Sequence, residues 1–550
     1  MRKFRHLASF LLFFSFTSGI AQDAEKKPTD LGEIHGNFQV DAQYYNPDSA
    51  IGAPIVPEKT LMNAFANLNY TRGNFSAGLR YESYLNTLLG FDPRYKGNAI
   101  PFRYANYDDG KLNVTVGSFY EQFGSGLLFR SYEERGLGYD NAMDGIRVKF
   151  TPWNGIYLKG IVGKQRFFME QGPGIVRGFD GEIAFNELIS KWSEAKTKIF
   201  LGGSFVSKYQ ADQDPVYIFP ENVGAFGGRF KLVRNRFSLL GEYAYKINDP
   251  GTINQIKGNY NYNPGHGVYL SSAWSQKGLG ITFSAKLIDN MNFRSDRSAS
   301  GNNLLINFLP ALTRQHTYNL AATIYPYATQ PNGEISFQAE LIYSLKKDTW
   351  YGGKYGTTVL INYAQANGLD TNNLPGLNTY TVDWKKQGSL YFSDFNVEIN
   401  RKLSKQWKMT LFYANFAYNK DVVQGLTGFG TIYSNIEVLD LTYKFTSTKA
   451  VRIELEGLQT KQDMGDWFAG LIEYSVSPHW FFAGLAQYNY GNSNEAMRLW
   501  YPTASLGYIR NATRITLGYG RQRAGIFCVG GICRNVPASN GLTISISSSF

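Results

Sequence analysis

From Ile34 to the C-terminus, apolar and polar residues alternate in short runs broken by turn residues. Phe38, Val40, Ala42 and Tyr44 alternate with Gln39, Asp41 and Gln43, so an extended chain would carry them on opposite faces. Ala66, Leu68 and Tyr70 alternate with Asn67 and Asn69. After Arg72-Gly73-Asn74 come Phe75, Ala77, Leu79 and Tyr81, alternating with Ser76, Gly78, Arg80 and Glu82. A Gly-Asn step between two such runs predicts a tight hairpin. Ile146, Val148 and Phe150 alternate with Arg147 and Lys149, and Pro152 to Gly155 make the next turn. The chain closes on Gly541 to Phe550, with Leu542, Ile544 and Ile546 on one face and Thr543, Ser545, Ser547 and Ser549 on the other.

The connections sort by length. Short turns fall near 193–196, 234–235, 276–278, 346–353, 403–406, 446–448, 476–478 and 511–512. Between them lie long polar stretches at 46–60, 88–99, 122–143, 209–222, 248–265, 367–388, 419–432, 491–498 and 524–540. A soluble sandwich has no reason to alternate them in this way, whereas an outer-membrane barrel puts short turns on the periplasmic side and long loops outside. The pattern predicts an all-β fold: one large antiparallel transmembrane barrel over residues 34–550. A chain that starts and ends at the periplasm needs an even strand number. Reading Asn302–Phe308 as a strand gives about 26, within a range of 22 to 26.

No run of roughly 18 or more apolar residues follows residue 20, so no helix is expected to span a membrane. A closed barrel is the other structure that pairs every backbone group inside lipid. Six of nine Trp (153, 192, 274, 350, 407 and 480) sit in or beside short turns, as an interfacial girdle requires. A large aromatic, Phe550, ends the last strand. In this the chain resembles outer-membrane barrel proteins, whose terminal Phe or Trp is read by the barrel assembly machinery. Lipid and that machinery are therefore its expected partners.

Arg2, Lys3 and Arg5, the apolar stretch Leu7 to Phe16 and the small residues Gly19 and Ala21 read as a cleavable signal peptide over 1–21. Residues 22–33 then form a polar leader. A TonB-dependent transporter needs a plug domain ahead of its first strand, and a pattern starting at Ile34 leaves no room for one. Without Arg2, Lys3 and Arg5 the formal charge falls from +11 to +8. That excess is spread out, with no basic run interleaved with aromatics, so nucleic acid is not an expected partner. Cys528 and Cys533, in FCVGGIC, are expected to form a disulfide closing a small loop.

The connection most suggestive of function is Glu121 to Asp144, EQFGSGLLFRSYEERGLGYDNAMD. It carries glycines at 124, 126, 136 and 138, an apolar patch Leu127-Leu128-Phe129, and charges at Glu121, Arg130, Glu133, Glu134, Arg135, Asp140 and Asp144. A loop with its own apolar side chains packs on something. It is expected to fold into the lumen and set acidic and Arg side chains across a constriction, where fixed charge selects solutes. An external partner-binding loop and a simple seal are the alternatives. This loop, together with GGKYG at Gly352–Gly356, resembles a functionally uncharacterised family of Bacteroidetes-type outer-membrane barrel proteins. The resemblance spans most of the chain and implies fold and location, with no substrate or catalytic residue to carry over.

Enzymatic chemistry is not expected. His35, His266, His316 and His479 have no metal partner at a useful spacing, and no nucleophile motif accompanies them. They read as polar interfacial or luminal residues, and no cofactor or metal is expected. Two functions remain. One is a passive, porin-like channel for small solutes, narrowed by the 121–144 loop. The other is a non-conducting barrel that scaffolds or binds other envelope proteins.

Overall fold

The computed structural model describes residues 31–252, 260–374, 379–529 and 532–550. The expected signal peptide and most of the leader lie outside these residues. Twenty-four antiparallel strands form one sheet in which each pairs with the next along the chain. The last, Ser539–Ser549, pairs with the first, Glu33–Tyr45, from Asn37 opposite Ser549 to Tyr45 opposite Gly541. This pairing closes the sheet into a barrel and removes both free edges. Phe550 adds a final backbone pair, giving and taking one hydrogen bond with Gly36 (2.9 and 3.0 Å).

The alternation read from the sequence is the wall. Ile146, Phe179, Leu201, Phe226, Ile281, Phe395, Ile453, Ile472 and Leu517 are exposed outward, while their chain neighbours point into the lumen. An outward apolar band is what a lipid-facing barrel presents. Trp153, Trp192, Trp274, Trp350, Trp407 and Trp480 are all exposed at the short-turn end.

Two expectations need correction. The strand count is 24, inside the expected range of 22 to 26, but Asn302–Phe308, read as a strand, is not part of the wall. It does make strand-like bonds, but to other partners inside the barrel. Ile306 N–H bonds Phe293 O at 2.9 Å, and Phe308 N–H bonds Gly126 O at 2.9 Å. Residues 290–332 are thus one long connection, and the strand number remains even. The stretch 367–388, expected as a loop, is mostly strand. Thr357–Asn373 and Tyr380–Lys402 continue as a hairpin through several register shifts.

The closing seam depends on glycine. Gly541 (φ +151°) sits opposite Gly520 (φ +152°). A Cβ on Gly541 would lie 1.8 Å from the Tyr44 carbonyl oxygen of the first strand. Gly541→Ala is expected to destabilise closure by about 1–3 kcal/mol, the usual cost of forcing such backbone. The folded band on unheated detergent gels should then be lost at a lower temperature than in the native protein, and an unchanged temperature would disprove the assignment.

Candidate functional site

Two long connections turn inward and meet. In residues 120–142, Phe123, Leu127, Leu128 and Phe129 are buried. They pack on Met291, Phe293 and Ile306 of the 290–332 connection and on luminal Val176, Val206, Val223, Ala225 and Ala244. Backbone bonds join the two segments, with Arg130 N–H to Ile306 O at 2.9 Å beside the Phe308–Gly126 pair. The apolar patch needed a partner out of water, and the partner is a second inner loop on an apolar strip of wall.

The charges of the first loop are already matched. Glu121 meets Lys149 (2.7 Å) and Lys159 (3.0 Å). Burial pushes its carboxyl up, but the two lysines outweigh this and hold it below the usual range. Asp140 accepts from Arg80 (2.5 Å) and Arg166 (2.7 Å). Glu133 accepts from Arg80 (2.9 Å) and Arg135 (3.0 Å). Arg80 and Arg166 both also meet Glu82, at 2.7 and 2.6 Å. The result is a network of three arginines and three carboxylates, buried at Arg80 and Arg166, that fixes the loop to strands Phe75–Tyr84 and Ile156–Phe167. Arg130 is stacked between Tyr132 (4.3 Å) and Phe308 (4.0 Å). Glu134 is half-buried.

The expected constriction set therefore does not act as one ring across open water. Asp144 is not luminal. It is the second residue of the strand Met143–Phe150, on the face opposite Arg147, and pairs with the half-exposed Arg103 at 3.0 Å. Cys533 is disulfide-bonded and sits opposite Cys528 in the hairpin formed by Gly525–Val529 and Ile532–Val536. This hairpin is not an isolated loop tip. It lies against the short helices Arg135–Leu137 and Asn319–Thr323 of the two inner loops, and Asn302 Nδ2 donates to Cys533 O at 2.8 Å.

The second inner loop escaped the sequence reading. Lys286 Nζ donates to Pro310 O (2.6 Å) and to Thr329 Oγ1 (2.5 Å), with Glu334 at 3.0 Å. One buried lysine thus closes the neck of a lobe spanning residues 311–328. The lobe crosses to other walls. His316 Nε2 lies 2.9 Å from Asp394, Arg314 bonds Asn396 (3.0 Å) and Glu398, and Glu456 accepts the N–H groups of Asn319 (3.0 Å) and Leu320 (2.8 Å). Tyr318, Leu320, Ile324, Tyr325 and Tyr327 pack on luminal Phe392, Phe412, Phe416, Ile432, Ile436 and Leu458.

The inner loops leave the closing seam comparatively open. Two adjacent cavities of about 480 and 300 Å³ share Gln43 and Thr543 as lining. Their walls include Gln39, Asp41, Thr503, Ser505, Thr516, Gly518 and Ser545, small or polar side chains of the first strand and of the last three, Trp500–Arg510, Thr513–Gln522 and Ser539–Ser549. The inner loops contribute Arg135, Asn319 and Thr323, and the connection before the last strand contributes Arg523 and Arg534.

Among solved structures the chain resembles the siderophore receptor PirA from Pseudomonas aeruginosa, at 11% identity and TM-score 0.40, over 96% of this chain and 81% of that one. It also resembles the P pilus usher PapC translocation pore, at 9% identity and TM-score 0.42, over 94% and 99%. A third likeness is to the outer membrane protein opdK from Pseudomonas aeruginosa, at 10% identity and TM-score 0.36, over 94% and 99%. No curated protein matches the chain. The model described as a family of unknown function (DUF6029) matches residues 1–550, and the chain belongs to that family.

Proposed function

We propose that the protein is an outer-membrane channel for small solutes, narrowed by both inner loops and conducting along the closing seam. The observation that carries this reading is the pair of adjoining cavities beside the first and last strands, with hydroxyl, amide and glycine groups along the wall and arginines facing them. Water and polar solutes find hydrogen-bond partners along such a strip, while the apolar strips of wall are covered by the loops. The short turns are assigned to the periplasm and the long connections to the cell exterior, as in barrels of this class. The 121–144 loop narrows the pore jointly with residues 290–332 rather than alone.

The test is single-channel recording of the mature protein in planar bilayers. Small, steady ohmic steps are expected. A silent bilayer with folded barrel inserted would defeat the channel reading. It would favour the second one, a closed scaffold, which draws its support from the apolar seam joining Leu127, Leu128 and Phe129 to Phe293 and Ile306.

A further inference from the structure

The cavity of about 480 Å³ beside the seam holds two guanidinium groups, those of Arg135 and Arg534. Its volume falls within the roughly 300–1,000 Å³ typical of small-molecule sites. Each guanidinium lies over a phenyl ring that also lines the cavity: Arg135 over Phe65 at 4.7 Å, and Arg534 over Phe91 at 4.1 Å. The two arginines differ in their acceptors. Arg135 is paired with Glu133 at 3.0 Å. Arg534 has no ion pair among the described residues, and its Nε and Nη1 are buried without an acceptor. Arg534 as a whole is half-buried, and enclosed donors left without an acceptor cost free energy. Burial also pushes its pKa down, which the nearby Tyr45 partly offsets. The one acid lining this cavity, Asp41, is occupied by Gln39 Nε2 (2.7 Å) and Ser545 Oγ (2.6 Å).

We propose that this cavity is a binding station for a small aromatic carboxylate, whose carboxyl group pairs with the guanidinium charge of Arg534 that no carboxylate among the described residues meets, and whose ring lies between Phe65 and Phe91. Guanidinium suits the task because its planar fork matches a carboxylate. Phe65, Phe91 and Leu88 form the apolar side, and Gln43, Asn63, Thr516 and Thr543 the polar one. A second observation favours anions. A cleft of about 450 Å³ at the short-turn end is lined by Lys347, Arg401, Lys402, Lys405, Lys408 and Lys444. None of these six appears in an ion pair among the described residues, and such a field draws anions toward the mouth. The station rests on the seam being open to solutes, but its occupancy can be read without any current.

The experiment is isothermal titration of the full-length barrel, purified in detergent, with sodium benzoate. Saturable binding is expected from the native protein, none from benzylamine, and at least tenfold weaker binding from Arg534→Gln. Phe91→Leu removes the ring beneath the guanidinium and keeps the charge. It should weaken benzoate severalfold, and it serves as the decisive variant if Arg534→Gln fails to fold. Absence of saturable heat from the native protein overturns the proposal. So does equal binding of benzylamine, or benzoate binding unchanged in both variants. Saturable binding with a silent bilayer would overturn the channel reading and leave the station standing.

Discussion

Replacing residues 311–328 with a short Gly-Ser linker should raise single-channel conductance by about an order of magnitude, because the bare lumen of so many strands is wide. The cut is placed at the neck of the lobe. Pro310 and Thr329 are both held by Lys286 Nζ, so the two ends stay anchored to one side chain after the lobe is gone. No backbone pair of the wall passes through the lobe, and the strand register is therefore expected to persist. The deletion bares Phe412, Phe416, Ile432, Ile436 and Leu458, which the lobe covers. Some loss of thermal stability should accompany the gain in current. Deleting residues 124–138 instead should have the smaller effect, since His316, Arg314 and the Asn319 and Leu320 N–H groups keep the lobe pinned to Asp394, Glu398 and Glu456. Equal, unchanged currents from native protein and both deletions would disprove the idea that the inner loops restrict the lumen.

The wall of this barrel was legible because period-two patterning is local: Phe38 to Tyr44 and Leu542 to Ile546 declare their lipid face without reference to any other segment. The lobe was not legible for the converse reason. Leu304, Leu305 and Ile306 are a short apolar run that declares no single face, and Asn307 is buried as well. Alternation cannot distinguish a lipid-facing residue from one buried against another loop. A signal did exist in the strands that the lobe covers. In Trp407–Asn419 the outward Leu411 and Tyr413 are matched by inward Phe412, Ala414, Phe416 and Tyr418. A strand apolar on both faces in a barrel whose lumen is otherwise polar implies an apolar filling. The charges of the first loop were found by residue type, but their pairing was not. Their partners Arg80, Glu82 and Arg166 lie on strands remote in sequence, so only the fold reveals that the cluster is neutralised.

That neutralised cluster carries the second large effect. Arg166→Ala should destabilise the barrel by about 3–5 kcal/mol, the cost of removing one partner from a buried ion pair. Glu82 and Asp140 are almost wholly enclosed, and Arg80 would be left to serve both of them together with Glu133. The Phe168 carbonyl would also lose the Arg166 Nε donor, now at 2.6 Å. The measurement is the urea midpoint of the barrel refolded into lipid vesicles, with limited proteolysis reporting on residues 120–142. A lowered midpoint together with cleavage inside that loop is expected. Arg166→Lys should recover only part of the loss, because it restores the charge without the bidentate fork that spans Glu82 and Asp140. The double variant R166M/E82Q should be less damaging than R166A alone, since it removes a buried charge along with its partner. A native midpoint for R166A would mean that the network is ornamental, and that the apolar seam of Leu127, Leu128 and Phe129 holds the loop inside by itself.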